Sequence, residues 1–283
     1  MSTATIEIEP GAPRRLLRTP LAAISLAVLA AIVALAVIVP QCVPWTHASG
    51  GPFERPSPSH WLGTDDSGYD NLSRIAVGAR VSLGVAIGAE IAIVLLGCAV
   101  GLIAGYFGGW IETILMRFTD MMFAFPDILL AILVAVILRG GLANIFVALA
   151  ITGWPGIARL VRAQTLSLRG REFIDAARAL GVPDSQIVLR HILPNIMSAL
   201  VVASTVDIAG LVVAESTLSF LGIGVQPPLV SWGSLIAWSL ESQYLDIHPE
   251  LTYYPALFLM ATVLSINFLG DALRDALDPH RTR

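Results

Sequence analysis

Long uninterrupted apolar runs, rather than short alternating segments, dominate the chain. The six runs cover residues 21–39, 81–106, 121–138, 140–158, 193–222 and 251–270. A helix that crosses the hydrocarbon layer of a membrane needs about 20 mostly apolar residues. The pattern therefore predicts an all-α integral membrane protein with six transmembrane helices.

The first run has two interpretations. Arg14, Arg15 and Arg18 precede it, as basic residues precede the apolar region of a cleaved signal peptide. However, the run is longer than that region usually is, and Pro40 and Pro44 follow it without a clear cleavage site. We interpret it as a retained spanning helix.

The placement of arginine predicts the orientation. Residues 159–190 carry six arginines, each terminal tail carries three, and residues 225–250 carry none. Positively charged connections stay on the cytoplasmic side. We therefore expect a cytoplasmic tail (1–20), a first helix (21–43), an extracytoplasmic connection (44–80), a core of five helices (81–270) and a cytoplasmic amphipathic tail (271–283). The arginines of the connection, Arg55, Arg74 and Arg80, fit this orientation poorly, although nearby acids partly balance them.

Composition narrows the possible functions. Hydrophobic residues make up 55% of the chain and charged residues 13%, against roughly 25% charged in a soluble domain. The 17 basic residues are all arginine, so the chain has no lysine for a nucleotide-binding P-loop or a Schiff base. We expect a subunit that is not an enzyme and that relies on another chain for any ATP chemistry. Cys42 and Cys98 are interpreted as small hydrophobic residues, and no metal site is predicted.

Glycines recur every fourth residue in the second run. Gly97, Gly101 and Gly105 share one helical face, and small residues let two membrane helices approach closely. Helix packing is the favoured role, with a gating hinge as the alternative.

Four acidic residues fall within predicted spans. Charged groups inside a membrane usually face a bundle interior or a wet path. Glu90, Asp207 and Glu215 are therefore candidates for the translocation path or its gate, with structural pairing to arginines as the alternative. Asp127 follows Pro126 near a helix end, where it can reach an interface.

The segment between the fourth and fifth runs predicts two short helices that meet at a turn. Residues 172–180 favour a helix, Gly181 suits its left-handed cap, and Pro183 suits the start of the next helix. Ala176, Ala177 and Ala179 leave little bulk on part of the first helix. The residues alone leave a docking surface and an ordinary solvated loop equally open.

This segment resembles the EAA loop of ATP-binding-cassette importer permeases, whose pattern is E-A-A-x-x-x-G followed by I-x-L-P. The matching residues here are Asp175, Ala176, Ala177, Gly181, Leu193 and Pro194, with Asp175 in place of the usual Glu and His191 in place of the usual Ile. The resemblance implies that residues 171–194 form a coupling loop that seats in a groove of a separate ATPase.

Three further stretches resemble the dipeptide, oligopeptide and nickel permeases, in particular their C-type subunit. They are residues 60–70 (HWLGTDDSGYD, with Tyr69 where Arg is usual), 215–228 and 270–279, and the similarity spans about residues 15–281. The resemblance implies a bacterial inner membrane protein with a sister permease subunit, two ATPase domains on one or two chains, and an extracytoplasmic binding protein. ATP and Mg would bind the ATPases, with no cofactor on this chain and no nucleic acid partner.

Several alternatives stay open at the level of function. Short peptides are the leading substrate, while nickel or another chelated metal, an opine and a glycoside share the same family. A proton-coupled secondary transporter that uses the intramembrane acids is an alternative of another class, and a structural membrane scaffold is a third. Leu269, Leu273 and Leu277 share a helical face, which predicts a short helix on the inner membrane surface after the last span.

Overall fold

The computed structural model describes residues 19–277, and in that range it is all-helical, with one isolated β-bridge between Thr64 and Asp70. Residues 1–18 of the predicted tail (1–20) and residues 278–283 lie outside the described residues. The helices are α1 (Pro20–Cys42), α2 (Asn71–Phe107), α3 (Gly109–Phe123), α4 (Asp127–Ile137), α5 (Leu142–Arg169), α6 (Glu172–Ala179), α7 (Asp184–Phe220), α8 (Trp232–Glu241) and α9 (Glu250–Leu277).

Five of these helices, α1, α2, α5, α7 and α9, are each long and apolar enough to cross a membrane. The pair α3 and α4 is apolar enough only when the two are taken together, and it is bent by 88°, so it makes a sixth span if both helices cross as one unit. The predicted all-helical fold is confirmed with five to six candidate spans, and the third run is not one straight helix. Pro126 explains the bend, because it lacks an amide hydrogen and disfavours helical geometry at Phe125.

Helix α2 begins ten residues before the predicted apolar run, since the carboxylate of Asp70 caps it by accepting a hydrogen bond from the Ser73 amide at 2.8 Å. Its 37 residues measure about 55 Å, longer than the hydrocarbon layer. Two arginines assigned to the connection therefore lie on a helix. Arg74 pairs with the buried Asp65, and Arg80 contacts α1.

The contact of Arg80 with α1 follows from a proline. Pro40 lies inside α1 and has no amide hydrogen, so the Ala36 carbonyl loses its helical partner. The Arg80 guanidinium donates to that carbonyl oxygen through Nε at 3.2 Å and Nη2 at 3.0 Å. The two helices are thus joined where the first one is weakest.

Helices α2 and α5 form the centre of the molecule, packed along the predicted glycine stripe. A Cβ placed on Gly97 would lie 2.7 Å from Ile157 Cβ, and one on Gly105 would lie 2.7 Å from Thr165 Cβ. On Gly101 it would lie 2.6 Å from the Ala158 carbonyl oxygen. Because these distances are too short for any larger side chain, the stripe sets the approach of the two backbones.

The connection between α1 and α2 is a compact cap rather than an extended loop. His60 Nδ1 lies 3.0 Å from Asp70 Oδ2, and both side chains are buried. The Tyr244 hydroxyl donates to Asp66 Oδ2 at 3.1 Å, which ties the cap to the segment between α8 and α9. These contacts account for much of the residue 60–70 motif as a structural element.

The second short helix of residues 171–194 and the end of the last span both differ from the prediction. The second short helix is not separate, because it continues as α7 through a π-helical segment, Ile187–Ile192. The last helix, α9, runs without a break past Gly270 to Leu277. Since no proline or polar turn interrupts residues 270–277, the amphipathic residues extend the spanning helix instead of starting a new one.

Candidate functional site

A cavity of about 460 Å³ opens between α2, the bend of α3 and α4, α5 and α7. Its lining is mostly apolar and includes Ile93 of α2 and Pro155 of α5. Asp127 and Asp207 also line it, and none of its lining residues within 19–277 is basic. Both aspartates are exposed in this chain, so the cavity presents negative charge on an otherwise apolar wall.

The three predicted path acids have different surroundings. Asp207 lines the cavity. Glu90 is only 4% exposed and lies beside Asp207 and Ser204, inside the contact between α2 and α7. Of the three, Asp207 is the one that faces open space directly.

Glu215 is enclosed. Its side chain is fully buried, and one carboxylate oxygen accepts a hydrogen bond from the Ser219 hydroxyl at 2.7 Å. The hydroxyls of Ser216 and Ser231 also face the carboxylate. Ser231 caps the start of α8, so Glu215 joins α7 to the start of α8 instead of lining the cavity.

Asp127 reaches the cavity because of the bend between α3 and α4. It is the first residue of α4 and follows the Pro126 cap. Sequence reasoning placed it at an interface, since a proline and an acid beside an apolar run mark a helix end. The 88° turn brings this helix end inward, and only the identity of Pro126 hinted at that turn.

The predicted coupling loop begins with α6, which ends in a well-formed cap. The Gly181 amide donates to the Arg178 carbonyl at 2.9 Å, and the Val182 amide donates to the Ala177 carbonyl at 3.1 Å. These two bonds define a Schellman motif, and Gly181 has the positive φ of +78° that the motif requires. The predicted turn at Gly181 is therefore present, and its backbone conformation is one that glycine adopts without strain.

The two faces of α6 differ sharply. Ile174 and Ala177 point into the protein and are buried. The opposite face exposes Phe173, Asp175, Ala176 and Leu180, with Leu180 at 74%. This exposed set, which we name the α6 outer face, mixes apolar and charged side chains, whereas Ala177 does not belong to it.

Charged groups frame the α6 outer face. Asp175 Oδ1 lies 3.2 Å from the Arg178 guanidinium. The contact of Arg178 with the Tyr106 hydroxyl raises the pKa of the guanidinium, so its charge is fixed. An exposed pair of this kind adds little stability, which leaves Asp175 available to another partner.

The remaining motif residues lie on the shaft of α7 rather than on α6. His191 is in the π-helical segment, while Leu193 and Pro194 begin the regular helix. The Leu193 amide donates to the Val188 carbonyl, five residues back. Pro194 cannot donate to the Arg190 carbonyl, which would be its α-helical partner, and this missing bond accounts for the wider turn.

Two ion pairs at the same end of the molecule join α3 to α5, and sequence reasoning did not identify them. Arg162 Nε lies 2.7 Å from Glu112 Oε1, and Arg159 Nη2 lies 2.6 Å from Asp120 Oδ1. The Arg159 guanidinium also lies 3.7 Å from the centre of the Phe123 ring. The bend of α3 and α4 is thus tied to the helix that borders the cavity. Within residues 19–277, no three His, Cys, Asp or Glu side chains are placed to hold a metal ion.

Comparison with known proteins gives two family matches. Residues 97–283 match the family described as binding-protein-dependent transport system inner membrane component, and residues 12–71 match the N-terminal TM domain of oligopeptide transport permease C. The chain is also similar in fold to the MetNI methionine ABC transporter in an inward-facing conformation. That likeness has a TM-score of 0.58 at 22% identity and covers 72% of this chain and 96% of the other.

Individual relatives align over most of the chain. The oligopeptide transport system permease protein OppC of Haemophilus influenzae is 40% identical over 95% of this chain and 87% of its own length. The dipeptide transport system permease protein DppC of Alkalihalophilus pseudofirmus is 39% identical over 94% and 88%. The glutathione transport system permease protein GsiD of Pectobacterium atrosepticum is 45% identical over 80% and 74%.

Proposed function

We infer that this chain passes short peptides across the membrane, because it belongs to the family of binding-protein-dependent transport system inner membrane components and is a permease subunit of an ATP-binding-cassette importer. One observation carries the choice of substrate. Relatives named for oligopeptide and dipeptide transport align over 95% and 94% of the chain. The glutathione permease relative fits the same class, since glutathione is a tripeptide.

An uptake assay with the complete transporter in vesicles tests the substrate. Labelled di-, tri- and tetrapeptides, glutathione, Ni²⁺, a glycoside and an opine are offered separately, with and without ATP. We expect saturable, ATP-dependent uptake of at least one peptide that excess Ni²⁺ does not inhibit. Uptake of Ni²⁺, a glycoside or an opine in place of every peptide would overturn the assignment, and peptide uptake that persists after ATP depletion would favour the proton-coupled alternative.

The partners that we propose follow the same family. A sister permease subunit would cover the open side of the cavity, which exposes Asp207 and Asp127 in the single chain. Two ATPase domains, on one or two chains, would bind and hydrolyse ATP with Mg. A binding protein would deliver the peptide at the opposite side of the membrane. The chain itself would supply half of the path and one docking surface, with no bond chemistry of its own.

The α6 outer face is the docking surface that we propose for an ATPase. It is short, exposed and held from beneath by the buried Ile174 and Ala177. The motif residues divide the work. Asp175 and Ala176 would contact the partner, Ala177 and Gly181 would shape α6, and His191, Leu193 and Pro194 would connect it to α7.

Two substitutions test this assignment. Gly181→Pro forces a φ near −65° at a position that has +78°, and Ala177→Arg places a long charged side chain at a position that is 8% exposed. We expect both variants to insert in the membrane but to lose peptide uptake and peptide-stimulated ATP hydrolysis. Gly170→Ala is the matched control, because its φ is −96° and no atom lies within 4 Å of the added Cβ. Wild-type uptake by either test variant would refute the coupling role.

The orientation that we propose places α6 and both chain ends in the cytoplasm of a bacterium, at its inner membrane. Support comes from the arginines of residues 159–190 and from the positive-inside rule. A single cysteine introduced at Ala179 in a variant that lacks Cys42 and Cys98 reports the side by labelling with an impermeant thiol reagent. We expect labelling in inside-out vesicles, and labelling of intact cells only would reverse the topology.

A further inference from the structure

Tyr106 lies near the cytoplasmic end of α2 under the proposed orientation and touches the coupling loop on both sides of its turn. The side chain belongs to a residue that is 5% exposed. Its hydroxyl donates a hydrogen bond to Asp184 Oδ1, at the start of α7. The Arg178 guanidinium, near the end of α6, lies 5.3 Å from the centre of its ring. One side chain therefore meets the end of α6 and the beginning of α7 at once.

The other side of Tyr106 is fixed to the spanning helices. Arg169, the last residue of α5, donates to the Gly105 carbonyl at 3.3 Å and to the Tyr106 carbonyl at 3.0 Å. Gly105 packs against Thr165 so closely that a Cβ would lie 2.7 Å away. The backbone that carries Tyr106 is thus held by both the packing and the hydrogen bonds between α2 and α5.

The chain itself does not connect the coupling loop to α2. The loop joins α5 through Gly170 and Arg171, and it joins α7 through the π-helical segment. Tyr106 and Asp184 are 78 positions apart in sequence. A displacement of α6 reaches α5 and α7 through covalent backbone, and it reaches α2 through the packing of α2 against α5. Tyr106 adds a direct side-chain contact between the loop and α2, which lines the cavity at Ile93.

We propose that Tyr106 is a positioning residue for energy coupling, which transmits the displacement of the coupling loop to α2. Its hydroxyl, bonded to Asp184, and its ring, beneath Arg178, make the loop and α2 move together. This inference rests on the proposed function, since it requires an ATPase that moves α6. It adds a residue outside the 171–194 motif and names the third helix that the motion must reach.

The test separates coupling from folding. Tyr106→Phe keeps the ring beneath Arg178 and removes the hydroxyl, together with its contacts to Asp184 and to the Arg178 guanidinium. In the complete transporter, reconstituted with its binding protein, the number of peptides transported per ATP hydrolysed is measured together with the thermal midpoint of the complex. We expect roughly a tenfold fall in that ratio, the size that corresponds to losing one hydrogen bond to a charged acceptor, while ATP hydrolysis and assembly persist. Tyr253→Phe, at a position 56% exposed, is the matched control.

Variants at Asp184 test whether the Tyr106 hydroxyl acts through its hydrogen bond to this residue. Asp184→Asn keeps an acceptor oxygen for the tyrosine hydroxyl and is expected to retain most of the ratio. Asp184→Ala is expected to lose it, and the double variant Tyr106→Phe, Asp184→Ala is expected to be no worse than either single variant. A Tyr106→Phe transporter with the wild-type ratio, or losses that add in the double variant, would overturn the inference.

Failure of the proposed function gives a different result. In that case the wild-type complex itself would show no ATP-dependent uptake or would not hold an ATPase. If the wild-type complex transports peptides and the Tyr106 and Asp184 variants behave like the control, the importer assignment stands and the proposed role of Tyr106 is wrong.

Discussion

The two sides of α5 meet their neighbours in opposite ways. Against α2, the glycine stripe brings the backbones so close that a Cβ on Gly101 would lie 2.6 Å from the Ala158 carbonyl oxygen. Toward α4 and α7, Gly156 has no atom within 4 Å of an added Cβ and borders the cavity. Glycines lie on both sides of α5. Gly101 of α2 lies where the two backbones leave no room for a side chain, whereas Gly156 of α5 lies beside open space. The difference indicates that α2 and α5 act as one rigid unit, while the space for a passing molecule lies on the other side.

The largest effect is expected from breaking the tight side. Gly101→Leu would overlap both Ala158 and Val161, and only separation of α2 from α5 relieves a backbone clash. Overpacking typically costs about 1–3 kcal/mol, and a clash with backbone falls at the upper end of that range or above it. We expect little monodisperse protein after detergent extraction, measured by size-exclusion chromatography. A stable, active Gly101→Leu protein would show that the two helices are not closely packed.

The next effect concerns a buried contact on α7. Glu215→Ala removes the acceptor that the buried Ser219 hydroxyl bonds at 2.7 Å and leaves a hole beside it. A buried polar group that is left without its hydrogen-bond partner costs about 1–3 kcal/mol. We expect a clear fall in the thermal midpoint of the complex, whereas Glu215→Gln, which keeps size and an acceptor oxygen, should fall less. Equal midpoints for both variants would argue against an enclosed structural role.

On the open side, the effect should fall on transport rather than on folding. Gly156→Leu directs its side chain into the cavity, where no atom obstructs it. We expect a thermal midpoint within the range of ordinary surface substitutions, about 0.5 kcal/mol, but several-fold slower peptide uptake. Normal uptake would place the path elsewhere, and a loss of folded protein would mean that this side is packed as tightly as the other.

The smallest effect is expected at Asp207. Asp207→Asn keeps the shape of the side chain and removes one charge from the cavity wall. A single charge near a surface changes the attraction for a cation by about 1 kcal/mol, so we expect roughly a fivefold rise in the half-saturating concentration of a peptide with a free amino terminus. An unchanged uptake curve at every peptide concentration would remove Asp207 from the path.

The close packing of α2 was easier to predict from the sequence than the cavity on the other side of α5. Glycines four residues apart mark a helix contact, because one small residue per turn leaves a groove on a single face. Their partners Ile157 and Val161 look like any other apolar residues, so the sequence could not say which helix fills the groove. The ability of a helix to be approached closely can be read from its own sequence, whereas the identity of the helix that approaches it depends on the whole fold.

The open side depends on a bend that hydropathy does not register. Residues 121–138 look like one apolar span, and only Pro126 marked a break. That break brings Asp127 to the cavity, while Glu215, an equally polar residue, is enclosed by serines from α7 and from the cap of α8. The sequence therefore identified which acids lie within helices but not which of them face open space.

The contact between Arg80 and the Ala36 carbonyl has a consequence for how the protein is made. When α1 leaves the ribosome, Pro40 has already deprived that carbonyl of its helical partner, and the guanidinium that satisfies it is 44 residues further along the chain. An unsatisfied carbonyl is costly in lipid. We expect α1 and α2 to enter the bilayer as a hairpin rather than one at a time, so that α1 finishes folding only when its successor arrives.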